Sequence, residues 1–409
     1  MALIVQKYGG TVAGSPKRIK DIAERVVAAQ EQGNDVVVVI SAMEGETDRL
    51  LGLSRSMSGR PDGREQDVLL STGEQVSAAM LALAIKGMGY QARSWLGYQI
   101  RILTDSAFGR ARVQKVDAEI LKRSLKQGEI AIVAGFQGID RDGNITTLGR
   151  GGSDTTAVAL ATALKADVCE IYTQVDGIYT ADPKICPTAK KLDYISYEEM
   201  MEMISLGVKA LHIDAIDFAM KGDVQLHLRS GFTPWEGTRV VREVKENKDT
   251  EFIVSRVTHD KEQAKITITR VPDKPGLAAK IFTPLSESNI VVDMIVQNAS
   301  EGGYTDVSFT VPRDVHKKAE SLIKEVEPKI HAGAVKCDPE IAKVSIIGRG
   351  MRTQAGVAAK MFQVLSKEGI NIEMISTSEI TISVVIRERH AIRAVKALHE
   401  VFIEKQGNL

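Results

Sequence analysis

Two glycine-bearing loops carry the residues of this chain that could transfer a charged group. The first, Lys7-Tyr-Gly-Gly-Thr11, follows the apolar run Ala2–Gln6, and its lysine and glycines suit a place where backbone amides surround a phosphate. The second, Gly149-Arg-Gly-Gly-Ser-Asp154, gathers a cation, a hydroxyl and a carboxylate in one turn. Because phosphoryl transfer needs cations and close backbone amides, the two loops predict the two halves of a phosphoryl-transfer site.

Each of these residues also has an ordinary structural explanation. Lys7 and its glycines could form a plain turn between a strand and a helix. Asp154 opens an alanine-rich segment and could be a helix N-cap. Glu74, in Ser71-Thr-Gly-Glu74, opens another expected helix and could simply favour its dipole.

A functional interpretation is favoured by Arg150, which stands in the same glycine turn as Asp154 and indicates a clamp for a carboxylate. Only taken jointly do these segments favour a site over turns and caps.

The elements that must hold these loops alternate between strands and helices over residues 1–245. The apolar runs Val36–Ile40, Ile130–Ala134 and Val168–Thr173 are typical of strands that are covered on both faces. Helices are expected over Ser15–Gln32, with Ser15 as N-cap, and over Ser71–Lys86. This alternation predicts an α/β fold with a mainly parallel sheet, in which ligands bind beyond the carboxyl ends of the strands.

Composition narrows the class of protein. A chain of 409 residues suggests two or three domains. Lys plus Arg and Asp plus Glu each number 53, so no global field favours nucleic acid or an anionic membrane. The three cysteines are scattered without metal-site spacing, and no residue is predicted to be a resident metal ligand. With no signal-like or membrane-spanning run recognised, the expected location is the cytoplasm.

The last third of the chain contains an internal repeat. Pro275–Ile295 returns as Ala355–Ile375, with about half of the aligned positions identical. Each copy reads strand, helix, strand, strand, helix. The first copy adds a closing strand near Ala334–Asp338, whereas the second ends in a polar tail after its last helix. The β-rich segment Glu251–Thr258 is therefore expected to supply the missing strand of the second copy.

These patterns predict four consecutive segments. Residues 1–245 form the α/β domain, and residues 246–262 form a linker together with the strand that completes the second module. Residues 263–340 form the first module and residues 341–409 the second. The charged, aperiodic stretch Glu243–Thr250 marks the linker.

The combination of motifs resembles the aspartate kinase branch of the amino-acid kinase superfamily. Besides the segments above, the resemblance rests on motifs that occur in family order at family-like spacing: Val38–Met43, Gly45–Asp48, Ala134–Gly138, Tyr179–Pro183 and Gly207–His212. The repeats resemble the tandem ACT modules of the same enzymes. The resemblance implies a three-layer amino-acid kinase domain followed by two ferredoxin-like βαββαβ modules.

By this resemblance, the reaction is transfer of the γ-phosphoryl group of ATP, with Mg²⁺, to the β-carboxylate of L-aspartate. This is the first step of the pathway to lysine, threonine, methionine and diaminopimelate. The residues that the resemblance assigns to catalysis are Lys7, Asp154 and Lys209. Those assigned to the amino-acid substrate are Ser41, Thr47, Glu74, Arg150, Gly151, Gly152 and Ser153. Those assigned to the nucleotide are Lys7, Tyr8, Gly9, Gly10, Thr173, Gln174, Tyr179 and Lys184.

The same resemblance implies feedback regulation by lysine, threonine or both, at sites in the ACT modules. Asp273-Lys-Pro-Gly276 is a turn that opens a helix and offers free amides to an amino-acid carboxylate. Val292, Asp293 and Gln297 belong to Asn289–Gln297, which is expected to form the facing strand. Such modules pair edge to edge between subunits, so a homodimer or higher oligomer is expected.

The sequence departs from the family pattern at a few positions. Val12 and Gln174 stand where the family has a serine and an aspartate, and Asp214 stands where an arginine is common. Three alternatives therefore stay open: a specialised or weakened aspartate kinase paralogue, a non-catalytic effector-sensing subunit, and a kinase of the same fold that acts on another small molecule. The tandem modules and the pair Glu74 and Arg150 argue against the last.

Overall fold

The computed structural model describes residues 2–208, 210–244, 254–298, 302–352 and 354–405. They form two compact units. The first comprises the described residues within Met1–Ile178 and Lys191–Lys245, and the second those within Tyr179–Lys190 and Glu246–Leu409. The short segment Tyr179–Lys190 thus lies between the two parts of the first unit in the sequence, but it belongs to the second unit in the structure.

The strands up to residue 244 are, in chain order, β1 Leu3–Tyr8, β2 Asp35–Ile40, β3 Ala92–Trp95, β4 Ile102–Thr104, β5 Val113–Val116, β6 Ile130–Ala134, β7 Gln137–Ile139, β8 Ile145–Thr147, β9 Val168–Thr173, β10 Ile178–Tyr179, β11 Lys191–Leu192, β12 Tyr194–Ser196, β13 Leu226–Ser230 and β14 Thr238–Val241. The helices in the same range are α1 Pro16–Glu31, α2 Glu46–Met57, α3 Gly63–Gly87, α4 Glu119–Lys126, α5 Gly152–Leu164, α6 Tyr197–Ser205 and α7 Ile213–Gly222.

The first unit is organised around a sheet with the strand order β12-β14-β13-β9-β1-β2-β6-β3. The pairings of β1 with β2 and β9, of β2 with β6, and of β9 with β13 are all parallel. The predicted mainly parallel α/β fold is therefore confirmed. Because parallel strands end at one edge, Lys7, Ser41 and Thr173 come to the same edge of the sheet.

One predicted helix boundary is wrong. The helix expected to start at Ser71 begins eight residues earlier as α3, where the Asp62 side chain accepts a hydrogen bond from the Glu65 amide at 3.2 Å. Glu74 consequently lies in mid-helix, away from the positive end of the helix dipole. Gly73 does not form a turn. Close packing requires glycine there, since a Cβ would lie 2.9 Å from the Cβ of Ala42. By contrast, α1 has the expected Ser15 cap, which accepts from the Arg18 amide.

The apolar character of α3 has a structural explanation. Among the described residues, α3 is the one helix long and apolar enough to cross a membrane by composition, yet half of that stretch is buried. Its residues Ala78, Leu81 and Ile85 belong to the core that also contains alternate residues of β2, from Val36 to Ile40. We therefore interpret α3 as a core helix.

The strands from residue 254 onward are β15 Arg256–Asp260, β16 Gln263–Pro272, β17 Ile295–Gln297, β18 Tyr304–Pro312, β19 Val335–Asp338, β20 Ile341–Ile347, β21 Met374–Thr377 and β22 Thr381–Arg387. The helices in this range are α8 Leu277–Glu287, α9 His316–Val326, α10 Val357–Lys367 and α11 Ala391–His399, which continues into a π-helical turn at Glu400–Glu404.

These elements form two sheets of the same design. The order is β17-β18-β16-β19 in one and β15-β20-β22-β21 in the other. In the second sheet β15 pairs antiparallel with β20, with Arg256 opposite Ile347. The strand that precedes the first repeat in the chain thus lies in the sheet of the second repeat, where it takes the position that β19 takes in the first.

Candidate active site

Lys7 provides the cation at the centre of the site. It is the penultimate residue of β1, which lies between β2 and β9 in the sheet. Its Nζ lies 2.5 Å from Oδ1 of Asp154, and both side chains are largely buried. Gly9 is the first residue after β1, and a Cβ at Gly9 would lie 3.3 Å from the Lys7 ammonium. The glycine therefore leaves room for that ammonium.

The second glycine loop is fixed by close packing. Gly151 has a φ of +72°, and a Cβ there would lie 2.5 Å from the Cβ of His212, so only glycine fits. The turn ends at Gly152, where α5 begins, and this places Asp154 in the first turn of that helix. The carboxylate therefore sits where helix amides are oriented toward it and where Lys7 can reach it.

A cavity of about 390 Å³ lies between the two glycine loops and the start of α2. Its walls include every residue predicted to contact the amino-acid substrate: Ser41, Thr47, Glu74, Arg150, Gly151, Gly152 and Ser153. Glu74 is buried, and its Oε1 accepts a hydrogen bond from the Ala42 amide at 3.0 Å. Its Oε2 has no hydrogen-bond partner among the described residues. Burial raises the pKa of Glu74 from its ordinary 4.5 to about 7.

A second cavity of about 340 Å³ lies on the other side of Lys7. Of the residues predicted to contact the nucleotide, its walls include Lys7, Gly9, Gly10, Thr173 and Gln174, and Asp154 also faces it. Lys7, Gly10 and Thr11 line both cavities. A Cβ at Gly10 would lie 2.9 Å from the carbonyl oxygen of Ala42. Only glycine therefore fits at this position between the two cavities. The two cavities therefore share one wall, made of the first glycine loop.

Three of the predicted nucleotide residues line neither cavity, and one predicted catalytic residue lies outside the described part of the chain. Tyr8 lines neither cavity: it is fully buried, stacks on Tyr172 with ring centroids 4.7 Å apart, and its hydroxyl donates to Gln6 Oε1 at 3.1 Å. Burial raises the pKa of Tyr8 well above its ordinary value. Tyr179 and Lys184 belong to the second unit, and Lys209 lies outside the described residues. Roles of Tyr179, Lys184 and Lys209 toward a nucleotide stay predictions.

The predicted effector turn lines a third cavity, which lies within the first repeat. It has a volume of about 310 Å³, and its walls include Asp273, Lys274, Pro275, Gly276 and Gln297. Val292 packs instead against the core of that repeat. The carboxylate of Asp293 forms an ion pair with Lys343 of β20. The turn and Gln297 are thus brought together, while Val292 and Asp293 face other partners.

Asp67 supports the site, although no sequence motif selected it. It is fully buried on α3, two turns before Glu74. Its carboxylate accepts hydrogen bonds from the Gly109 amide at 3.0 Å, the Thr147 amide at 2.7 Å and the Thr147 hydroxyl at 2.7 Å. Burial raises its pKa, and those hydrogen bonds oppose the rise. It anchors the strand that leads into Gly149–Asp154. The available signal was its helical spacing from Glu74 on one face.

Comparison with protein families defines the class. Residues 2–230 match the amino acid kinase family, and residues 265–328 and 344–402 each match an ACT domain. The parallel sheet, the two glycine loops and the duplicated βαββαβ sheets are thus those of an amino acid kinase that carries two ACT domains.

Individual relatives narrow the class further. The chain is 52% identical to the aspartokinase of Pseudomonas aeruginosa over 402 residues, which cover 98% of each chain. Its fold matches E. coli aspartokinase III in complex with lysine and aspartate (T-state) with a TM-score of 0.80, at 26% identity and over 98% of this chain and 99% of the other. The R-state of that enzyme, in complex with aspartate and ADP, matches with a TM-score of 0.79 at 26% identity, over 97% and 99%. The chain belongs to the aspartokinases of the amino acid kinase family.

Proposed function

We propose that this protein transfers the γ-phosphoryl group of ATP to the β-carboxylate of L-aspartate, giving 4-phospho-L-aspartate and ADP. The observation that carries the proposal is the wall shared by the two cavities. One cavity is lined by all the residues predicted for the amino-acid substrate and the other by five of the eight predicted for the nucleotide, and Lys7, Gly10 and Thr11 line both. A phosphoryl group that passes from one occupant to the other must cross beside the Lys7 ammonium.

The acceptor cavity fits an α-amino acid with a second carboxylate. The buried Oε2 of Glu74 has no hydrogen-bond partner in the described part of the chain and offers an acceptor to the substrate ammonium. Arg150 lines the same cavity and suits the α-carboxylate as a planar two-point donor. These two anchors leave the side-chain carboxylate free to face Lys7.

The donor cavity fits a nucleoside triphosphate. Lys7 supplies a positive charge, and the glycines beside it allow backbone amides to approach the phosphates. Mg²⁺ usually binds through one or two carboxylates together with substrate phosphates, and Asp154 is a carboxylate in this wall. Bound with the nucleotide, the ion would neutralise charge that develops on the phosphates.

The chemical step needs little from the protein beyond position and charge. The acceptor carboxylate is already ionised at neutral pH, so no general base is required. One of its oxygens attacks the γ-phosphorus as the bond to the bridging oxygen breaks. Lys7 stabilises the equatorial oxygens, and Asp154 orients the Lys7 ammonium through their ion pair. We assign Lys209 a second, equivalent charge on the basis of its motif.

We also propose that the four predicted segments (residues 1–245, 246–262, 263–340 and 341–409) are the domains of a cytoplasmic, feedback-regulated enzyme. Lysine, threonine or both would bind the cavity lined by Asp273–Gly276 and Gln297, and the ACT domains would pair in a homodimer. Light scattering with and without each amino acid measures the assembly. A strictly monomeric protein would contradict the dimer.

The activity is tested with purified protein, ATP, Mg²⁺ and L-aspartate, with hydroxylamine to trap the acyl phosphate as a coloured hydroxamate. We expect hydroxamate that depends on all three ligands and is inhibited by lysine, threonine or the pair. N-acetylglutamate in place of aspartate is the specificity control and should give none. Folded, effector-free protein that forms no hydroxamate over a wide range of aspartate would refute the proposal.

A further inference from the structure

The segment Tyr179–Lys190 is held in the second unit by a closed set of polar contacts. His399, the last residue of α11, is buried, and its Nε2 lies 2.9 Å from the Thr180 hydroxyl. Its Nδ1 lies 3.0 Å from Oε1 of Glu404. The same Oε1 accepts a hydrogen bond from the Thr188 hydroxyl. Both ends of the segment are thus tied to the end of the last helix.

The hydrogen bonds of this cluster have one consistent direction. Because Glu404 is an acceptor, Nδ1 of His399 carries the proton and Nε2 is left to accept. The Thr180 hydroxyl therefore donates to Nε2, and its oxygen accepts the Lys190 amide at 3.0 Å. The hydrogen bond from Thr188 is the main reason that the pKa of Glu404 lies below its ordinary value. Glu404 is thereby kept as the anion that orients the imidazole.

Backbone contacts and apolar packing fix the same segment. The carbonyl oxygen of Thr180 accepts a hydrogen bond from the Val257 amide at 2.9 Å, on β15. Ala181 and Cys186 belong to the apolar core of the second repeat, together with Leu398 and Phe402. The segment is therefore part of that repeat in packing, although its sequence lies within the kinase portion of the chain.

The chain that precedes this segment lines the donor cavity. Thr173, Gln174 and Val175 are in its wall. Gly177 has a φ of +144°, and a Cβ there would lie 2.7 Å from Oγ1 of Thr238, which also accepts the Ile178 amide at 2.8 Å. Only Tyr179 separates Ile178 from Thr180 in the sequence, so the chain itself connects the loop directly to the cluster.

We propose that His399 is a positioning residue for nucleotide binding, which acts through Thr180 to hold the exit of the loop Thr173–Gly177. The inference rests on the proposed function, because it takes the donor cavity as the nucleotide site. In this view the last helix of the second ACT domain contributes to nucleotide affinity without contacting the nucleotide. A change in that domain would then alter the affinity for nucleotide more than the affinity for aspartate.

The test compares variants that remove one contact each. Thr180→Val keeps the side-chain shape and loses the hydroxyl. His399→Asn keeps a donor near the Nδ1 position and loses the contact to Thr180, whereas His399→Gln keeps an acceptor near Nε2. We expect Thr180→Val and His399→Asn to raise the ADP dissociation constant and the KM for ATP about fivefold, as for the loss of one ordinary hydrogen bond. The KM for aspartate should stay within twofold, and His399→Gln should remain near wild type.

A matched control separates positioning from general stability. Ser345 and Ser383 form a buried hydroxyl pair 2.7 Å apart between β20 and β22 of the same sheet. Ser383→Ala should lower the free energy of unfolding and leave the ADP dissociation constant unchanged. In Thr180→Val, hydrogen exchange should rise at the amides of residues 173–178, a readout that needs no catalysis. If Thr180→Val yields no folded protein, Thr180→Ala and His399→Asn carry the test.

Two results would overturn the inference: a nucleotide affinity unchanged in both Thr180→Val and His399→Asn, or an equal loss of nucleotide affinity in Ser383→Ala. Calorimetric binding of ADP distinguishes this failure from failure of the proposed function. A wild-type protein that binds ADP but forms no hydroxamate would refute the reaction and leave the positioning test intact.

Discussion

The Lys7 ammonium and the Asp154 carboxylate lie 2.5 Å apart, although the two residues are far apart in the sequence. The contact joins the edge of the central sheet to the first turn of α5. Each glycine loop therefore supplies only one member of this ion pair, and the proposed phosphoryl-transfer site needs both loops. The Lys7 ammonium, which we propose to face the phosphates, is held in place by the loop that also bounds the proposed acceptor cavity.

The first prediction concerns this ion pair. Lys7→Met should lower kcat about 10²–10³-fold, since it removes a charge that acts mainly in the transition state. The KM for aspartate should change much less. The hydroxamate rate under saturating ATP and aspartate measures the effect. Lys17→Met is the matched control, because Lys17 is exposed on α1 and should be dispensable. A kcat within threefold of wild type in Lys7→Met would contradict the assigned role.

The second prediction follows from the raised pKa of Glu74, about 7. The free site holds a neutral Glu74 below that pH, and a substrate ammonium requires the anion. The KM for aspartate should therefore fall as the pH rises from 6 to 8. Glu74→Gln should raise this KM at least tenfold and remove its pH dependence. A pH dependence that persists in Glu74→Gln would assign the titration to another group.

The third prediction concerns the stability contributed by the same residue, which should fall as the pH rises, whereas aspartate binding should improve. The unfolded state loses the Glu74 proton near pH 4.5, whereas the folded state keeps it to about pH 7. The contribution of Glu74 to stability is thus full below pH 4.5 and is lost as the pH rises through 7. Glu74→Gln should then stabilise the protein at pH 8 by roughly 2–3 kcal/mol and by little at pH 4. Urea unfolding at both values is the measurement, and equal effects at the two would count against it.

The sequence indicated the candidate site more clearly where a charged residue stands in a glycine-bearing loop than where the residue's position depends on the bounds of a helix. Lys7, Arg150 and Asp154 were selected because each stands in a glycine-bearing loop, and the structure places all three in the walls of the two cavities. Glu74 was also selected, but its segment Ser71–Glu74 was interpreted as a helix start, whereas it lies within α3, where Gly73 permits contact with Ala42. Tyr8 was assigned to the nucleotide although successive residues of a strand face opposite sides, so it points away from the side that Lys7 faces.

Contacts between distant segments were beyond local patterns. Asp67 contacts Thr147, and Thr180 contacts His399, across long stretches of sequence. Neither residue stands in a motif that signals its partner, because a buried hydrogen bond leaves no periodicity. The position of β15 in the sheet of the second repeat could be predicted only by counting the elements of the two repeats. Duplication therefore supplied long-range information that a single repeat would have lacked.

The fourth prediction concerns Gln174, which stands where the resemblance implies an aspartate and which lines the donor cavity. An amide accepts hydrogen bonds from nucleotide hydroxyls less strongly than a carboxylate does. Gln174→Asp should therefore lower the KM for ATP by about three- to tenfold and leave that for aspartate unchanged. Initial rates over a range of ATP decide it. An unchanged KM for ATP would show that the missing carboxylate is irrelevant here.

The two repeats hold each other through reciprocal ion pairs. Lys265, near the start of β16, pairs with Glu373 of the second repeat, and Lys343, at the matching place in β20, pairs with Asp293 of the first. Met294 and Met374, the residues that follow the two carboxylates, are buried in one small cluster. The duplication thus extends to the interface between the repeats.

The fifth prediction follows from the burial of Lys343, whose side chain is only 2% exposed. Asp293→Asn should destabilise the second unit by about 2 kcal/mol, because it leaves a buried ammonium without its counter-charge. Lys343→Met combined with Asp293→Leu should recover most of this loss, since apolar replacement of both partners is often neutral. Urea unfolding of the full chain gives both values. A double variant less stable than Asp293→Asn would show that the pair itself, rather than relief of an isolated charge, holds the two repeats together.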